Sequence, residues 1–354
     1  MSEAEIATTF DDSSWLEQIP TQMNACSIEV LNNYNNNESR SKKEPIKSND
    51  KELIVLPFVI GCYELVDEAN QIVKGQLRLY TIKLCHDDQL NQTISCDQNP
   101  TEIINIDGGI FDGKFYEYST IKLSSQFKQR SEDGIMNEHK DFNHWIYAAA
   151  CSSGKILFYA LNVKMNDPDA FYLNYITSTP TLDIDDDNDK SSCLSIAWRK
   201  PQESNIDIVS FLNINDSKTV CILSSYANGY VAIHTIQFYS EDKKSDPIIS
   251  EVVKWNAHNY QFNNIHTPAE VWSCCWIYNN DSINVVTGGD DTKFKGWKLL
   301  SSHDEDGALV ITPILQFQID HDAGVTCLTP HPSIESILVS GSYNEGNVIL
   351  VVKI

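Results

Sequence analysis

Val285–Leu299 reads V-V-T-G-G-D-D-T-K-F-K-G-W-K-L. Its two ends, Val285–Thr287 and Lys293–Leu299, are predicted strands joined by a tight turn over Gly288–Thr292. Glycine reaches positive φ without a Cβ clash, and aspartate side chains accept hydrogen bonds from turn N–H groups, so this composition fits a turn. In the second strand Phe294 sits between Lys293 and Lys295 and the run closes on Trp297, the alternation of a half-buried antiparallel strand. A turn aspartate, Asp291, followed six residues later by a tryptophan is what a β-propeller blade carries into its third strand.

Upstream lie Ala257-His258 and an apolar strand candidate at Trp272–Tyr278, which completes the order of a WD repeat: His, strand, strand, Asp turn, strand with Trp. The unit recurs with decay. His321, Gly324–Leu328, Ile337–Ser342, the turn at Tyr343-Asn344-Glu345 and Val348–Val352 make a later copy in which Asn344 replaces the turn aspartate. Cys193–Trp198, Val220–Ser225 and Tyr230–Ile236 make an earlier one, and Gly109–Tyr118, Trp145–Cys151 and Lys155–Leu161 another. Cys26–Val30, Leu53–Val66 and Gln76–Lys83 make the first. About five copies spaced roughly forty to sixty residues apart predict an all-β propeller with inserted loops.

The domain reading is a polar segment over residues 1–24, then a single partial propeller over 25–354 with a disordered insertion near 32–51, where Asn, Ser, Lys and Glu dominate. Ser119–Asp141 reads as an insertion in the second blade, Thr177–Lys190 and Ser240–Asp246 as loops between blades, and Ser301–Gly307 as the link between the fourth and fifth units.

The chain has 354 residues, 42% of them hydrophobic, enough for a large core. Its 26 Lys+Arg against 49 Asp+Glu give a net charge of −23, which argues against a nucleic-acid partner. The ten cysteines form no C-x-x-C pair, and Cys62, Cys221, Cys274 and Cys275 sit in apolar runs where a thiol packs as a small hydrophobe. Reduced thiols, no signal peptide and no apolar run of membrane-spanning length predict a cytoplasmic protein, with the nucleus the other compartment, and no membrane partner.

The sequence contains no nucleophile elbow, no phosphate-binding glycine loop and no H-E-x-x-H. Cys85-His86 is too isolated for a metal site, so neither metal nor cofactor is expected.

Five segments are similar to one family: A-C-S-I-E-V at Ala25–Val30, G-C-Y-E-L at Gly61–Leu65, Ala257–Trp272, Val285–Trp297 and His321–Glu345. Together they resemble diphthine methyl esterase, the WD-repeat enzyme of diphthamide biosynthesis. The most specific are G-G-D-D-x-K-x-K-G-W and the pair H-x-x-G-V with G-S-Y-N-E. Two departures stand out: Asn259–Ala269 separates His258 from Glu270, and the chain ends at Ile354 where the family continues. The resemblance implies a closed propeller of about seven blades, of which this chain supplies about five, too few to close a ring in that manner.

The resemblance also implies the activity: hydrolysis of the methyl ester of methylated diphthine on translation elongation factor two, with other diphthamide-pathway proteins as further partners. The substrate carries a trimethylammonium group, which favours aromatic faces and carboxylates. Ester hydrolysis needs a base for water and a donor for the oxyanion. Glu270 or His258 is the candidate base, Lys295 the candidate oxyanion partner, and Trp272 with Asp290 the candidate cation site. Lys295 otherwise reads as a solvated strand residue. Asp291, Trp297 and His321 read as the structural residues of WD repeats. A non-catalytic WD-repeat scaffold is the other reading, since propellers of this kind mostly bind.

Overall fold

The computed structural model describes residues 23–31, 52–67, 72–86, 92–118, 144–164, 167–181, 191–199, 219–238, 246–263, 265–277, 284–305, 309–331, 337–343 and 349–353. The polar N-terminal segment, the insertions near 32–51 and 119–141, most of the loops over 177–190 and 240–246, and the Asn344-Glu345 turn lie outside these residues.

The described chain is all β. β1 (Asn24–Val30), β2 (Glu52–Asp67), β3 (Ile72–His86), β4 (Gln92–Cys96) and β5 (Glu102–Ile106) form the first sheet. Here β4 and β5 pair with opposite ends of β3, so together they make one outer strand interrupted at residues 97–101. β6 (Ile110–Tyr118), β7 (His144–Cys151), β8 (Ile156–Lys164) and β9 (Asp167–Ser178) form the second sheet, paired in chain order. The third, in the same order, is β10 (Cys193–Trp198), β11 (Thr219–Tyr226), β12 (Tyr230–Gln237) and β13 (Ile248–Asn256). A separate hairpin follows, β14 (Asn259–Phe262) with β15 (Ile265–Pro268). The fourth sheet is β16 (Val271–Trp276), β17 (Val285–Gly289), β18 (Lys293–His303) and β19 (Leu309–Asp320). The fifth is β20 (Val325–Pro330), β21 (Ile337–Ser342) and β22 (Ile349–Lys353).

The first strands of these sheets touch in chain order: β1 meets β6, β6 meets β10, β10 meets β16 and β16 meets β20. The outer strands β5 and β9, and β13 and β19, also meet across sheet junctions. Five antiparallel meanders stacked face to face around a line of inner strands are the blades of a β-propeller. The core accordingly lies between blades. One cluster joins Ile146 and Phe158 of the second to Ile222 and Ala232 of the third, and another joins Leu223 and Ile233 of the third to Val285 and Trp297 of the fourth.

This placement corrects the half-buried reading of β18. Phe294 packs toward the fifth blade with Val325 and Leu338, while Trp297 packs toward the third, so both faces are covered. Lys295 shares the face of Trp297 and is only 9% exposed, not solvated. The outer strands β9, β13 and β19 were not among the strands read from the sequence, and Ser301–His303, expected to open a link between the fourth and fifth units, instead end β18 and pair with β19 inside the fourth blade.

Two tryptophans latch neighbouring blades. Trp198, the last residue of β10, donates its indole N–H to the Lys114 carbonyl of β6 at 3.0 Å. Trp276, the last residue of β16, does the same to Ala197 of β10 at 3.0 Å. Each inner strand also carries a bulge at one equivalent place, leaving Cys26, Phe111, Leu194, Trp272 and Thr326 out of the ladder. A bulge re-aims a side chain. At the free edge of β16 it leaves Trp272 37% exposed, between buried Val271 and Ser273.

Among the described residues no helix is long and apolar enough to cross a membrane. Cys62, Cys221, Cys274 and Cys275 are buried thiols, and burial pushes that of Cys221 up to about 12.

Candidate functional site

The residues named from the sequence gather at one end of the fourth blade, where the turn between β17 and β18 meets the segment entering β16. The turn holds two aspartates that point into different surroundings.

Asp291 faces inward. Its Oδ1 lies 2.7 Å from His258 Nδ1, and His258 Nε2 lies 2.7 Å from Thr287 Oγ1, which also accepts from Trp297 Nε1 at 2.9 Å. One assignment satisfies every group: the indole N–H donates to Thr287, the Thr287 hydroxyl to Nε2, and Nδ1–H to the carboxylate. Lys295 Nζ completes the network by donating to Asp291 Oδ2 at 3.1 Å and to the Ala257 carbonyl at 2.9 Å. Burial holds His258 below its ordinary pKa, outweighing the pull of Asp291. Burial pushes the Asp291 carboxyl up, but His258 and Lys295 together outweigh it and hold it below the usual range. His258 has no exposed surface, and both ring nitrogens are engaged.

Gly288 and Gly289, expected in the turn, instead end β17, and they act by space rather than by φ. Positive φ falls on Thr292, at 63°, and not on Gly288 or Gly289. A Cβ on Gly289 would stand 2.5 Å from His258 Nδ1, and one on Gly288 would stand 2.5 Å from a Val325 methyl. Glycine at these two positions lets the histidine ring and the fifth blade approach the backbone.

The network repeats in part in the fifth blade, where His321 Nε2 lies 3.0 Å from Ser340 Oγ and the His321 N–H donates to the Thr292 carbonyl at 2.8 Å.

Asp290 faces outward. Its N–H donates to the Glu270 carbonyl at 2.8 Å, which ties the turn to the segment entering β16. The Tyr343 hydroxyl donates to Asp290 Oδ1 at 3.0 Å, and the Tyr260 hydroxyl donates to Oδ2. Tyr343 comes from the fifth blade and Tyr260 from the β14–β15 hairpin, so three separate elements converge on one carboxylate. Gly324 makes room for the convergence: a Cβ there would stand 2.6 Å from the Tyr343 ring and 2.8 Å from Asp290 Oδ1.

Burial, and then the charge of Asp290, hold the Glu270 carboxyl above the usual carboxylate range. The Tyr343 phenol is also raised, chiefly by its hydrogen bond to Asp290, and Tyr260 is raised by burial and then by the same carboxylate.

Glu270, Asp290 and Trp272 thus stand at the open end of the blade, whereas His258 and Lys295 stand at the same end but inside the buried network. Tyr260 and Tyr343 were not singled out from the sequence. Tyr343 lay inside a recognised turn, but nothing local says that its hydroxyl crosses to the neighbouring blade. Among the described residues no group of His, Cys, Asp and Glu is arranged to hold a metal ion.

No protein-family model matches the chain. Over 192 residues it is 30% identical to a Dictyostelium discoideum protein described as a diphthine methyltransferase homolog, a match covering 52% of this chain and 46% of the relative. The aligned part spans about half of that relative, and its description names the same modification as the resemblance drawn from the sequence. Among solved structures the chain is similar to Sqt1 from Chaetomium thermophilum, with TM-score 0.40, 10% identity and coverage of 94% of this chain and 69% of that one. It is also similar to BBS1N in complex with ARL6DN, with TM-score 0.35, 8% identity and coverage of 83% and 65%. These are distant likenesses, and the architecture stated above rests on the strand pairing itself.

Proposed function

We propose that the protein hydrolyses the methyl ester of methylated diphthine on translation elongation factor two, with Glu270 as general base. The observation that carries the reading is the pairing of Glu270 with Asp290 at an open, aromatic-lined end of the blade. A carboxyl held above its usual range is a better proton acceptor near neutrality than an ordinary glutamate, and a nearby carboxylate with aromatic surfaces suits a quaternary cation.

In this reaction Glu270 takes a proton from water as the water oxygen bonds to the ester carbon. The tetrahedral intermediate then collapses, the bond from carbon to methoxy oxygen breaks, and methoxide takes the proton back to leave as methanol. Asp290 and Trp272 hold the trimethylammonium group. His258 could replace Glu270 as base only by giving up a bond to Asp291 or Thr287, and Lys295 could serve the oxyanion only by turning from Ala257 and Asp291. The Tyr343 hydroxyl is more exposed, and it could serve that role by turning its one proton from Asp290 to the oxyanion.

The scaffold reading has one observation in its favour: the buried network of His258, Thr287, Asp291 and Trp297 would be needed equally in a blade that only binds. Purified protein incubated with the methylated factor separates the readings. Hydrolysis releases methanol and lowers the mass of the factor by one CH2, the methyl ester becoming a carboxyl group. A scaffold leaves both unchanged. A gain of mass when the unmethylated factor and a methyl donor are supplied instead would make the chain a transferase, as the description of the relative has it. Glu270→Gln abolishing methanol release while the protein melts normally is the result the proposal requires.

A further inference from the structure

The β14–β15 hairpin is the insertion that parts His258 from Glu270, and none of the chemistry above uses its outer half. Its register pairs Tyr260 with Thr267 and Phe262 with Ile265, which puts these four side chains on one face. The other face carries Asn259, Gln261, His266 and Pro268. Tyr260 sits at the root, where its hydroxyl is fixed to Asp290. The same face therefore runs outward from the carboxylates, and Phe262 lies about 7 Å further out along the strand. Phe262 is 74% exposed and Ile265 63% exposed.

An aromatic and a branched aliphatic side by side at a hairpin tip leave most of their surface in water here. Asn263, which follows Phe262, takes a φ of 49°, and the strands stay in register from Asn259 and Pro268 to Phe262 and Ile265. Exposed apolar groups rimmed by polar ones mark contact surfaces. The charge beside this one fixes the sign of its partner: Glu270 and Asp290 lie at the hairpin root, no Lys or Arg occurs from Asn256 to Ser282, and the chain carries a net charge of −23.

We propose that the hairpin is the docking arm of this end of the propeller, seating a cationic polypeptide segment whose apolar neighbour packs on Phe262 and Ile265. The cationic side chain then lies toward Asp290 and Glu270. If the proposed function holds, that segment is the loop of the elongation factor that carries the modified histidine, and on this identification alone the inference rests on that reading. Tyr260 anchors the arm, and the two tip residues supply apolar contact area. The neutral, apolar tip also departs from the acidic character of the rest of the surface, which excludes a merely solubilising role for it.

The test is binding of the full chain carrying Glu270→Gln to the methylated factor, by calorimetry, with and without Phe262→Ala/Ile265→Ala. Both side chains point into water, so thermal melting of the variant should match its parent. The expected result is a rise in Kd of about tenfold or more, and a further rise for Phe262→Lys, which sets a positive charge against a cationic segment. Binding should also weaken as salt rises. Unchanged affinity in both variants, or affinity for anionic lipid vesicles but not for the factor, overturns the proposal. Methanol release by the wild-type chain with unchanged binding in the hairpin variants would overturn the docking arm and leave the esterase standing. Hairpin-dependent binding without methanol release would do the reverse.

Discussion

Asp290 and Asp291 are neighbours in the chain and belong to different networks. Asp291 is bonded to His258 and Lys295 inside the blade, and Asp290 is bonded to Tyr260 and Tyr343 at its open end. A turn is the place where this can happen, because consecutive side chains leave it in different directions. On the proposed reading, the pair divides stability from function between adjacent positions.

Asp291→Asn should destabilise the protein by about 2–4 kcal/mol, because it leaves Lys295 buried without its counter-charge and weakens the bond that orients His258. Asp290→Asn should change stability by less than about 1 kcal/mol, since the two phenols it loses are near the surface. Urea denaturation of both variants, beside methanol release, checks the division. If Asp291→Asn unfolds like wild type, the buried network does not hold the blade.

The glycines extend the same division. Gly289→Ala forces a methyl against the His258 ring and should lower stability by about 1–3 kcal/mol. Gly324→Ala presses on Tyr343 and Asp290 instead, so it should weaken substrate binding more than it lowers the melting temperature. Equal effects of the two changes on melting would contradict this.

How much of this was legible in the sequence depends on the range of the signal. The blade around Asp291 and Trp297 could be read because its turn, its strands and its tryptophan are local and carry their own chemistry. The outer strands β9, β13 and β19 could not, because an outer strand has one covered side and little obligation to be apolar: β13 reads I-I-S-E-V-V-K-W-N. Lys295 misled for the opposite reason. A lysine in a strand predicts solvent, and its burial is made tolerable by the Asp291 carboxylate together with the carbonyl of Ala257, a distant residue from the preceding blade's exit. The insertion at Asn259 looked like a disturbance of the site, yet Tyr260 within it reaches Asp290. A contact across 30 residues has no period to betray it.

His234 gives a stability prediction with a defined pH window. It is buried in the third blade beside Tyr226, opposite Glu251 in the ladder, and burial lowers its pKa to about 4. The unfolded chain binds this proton near pH 6.5, so the folded state is the poorer proton binder between those values. Stability is then complete above the unfolded value and falls as the pH drops toward the folded one, by about 3 kcal/mol from this group. His258, lowered in the same direction, adds to the loss. Denaturation midpoints across this range should fall less steeply in His234→Gln than in wild type.

The pH dependence of catalysis tests the assignment of the base. Glu270 must be ionised to accept a proton, and burial with the charge of Asp290 holds it above the usual carboxylate range. Methanol release should therefore fall on the acid side at a pH higher than an ordinary glutamate would give. Asp290→Asn removes the neighbouring charge and should move that limb toward lower pH, although it also weakens binding. A limb that does not move when Asp290 is neutralised would assign the titration to another group.

The last prediction concerns what joins the blades. Trp198 and Trp276 occupy equivalent ends of β10 and β16, and each donates to a carbonyl of the preceding inner strand at the same register. Phenylalanine keeps most of the ring and removes the donor, so each substitution strands one inter-blade bond. Each should cost about 1 kcal/mol, more if the freed carbonyl cannot reach water. The two junctions share no partner, Lys114 serving one and Ala197 the other, so the double variant should lose the sum of the single losses within about 0.5 kcal/mol. A double variant that loses clearly more than the sum would mean that the third blade transmits strain from one junction to the next, and that the blades do not act as independent layers. Denaturant titration of the two single variants and the double decides between these outcomes.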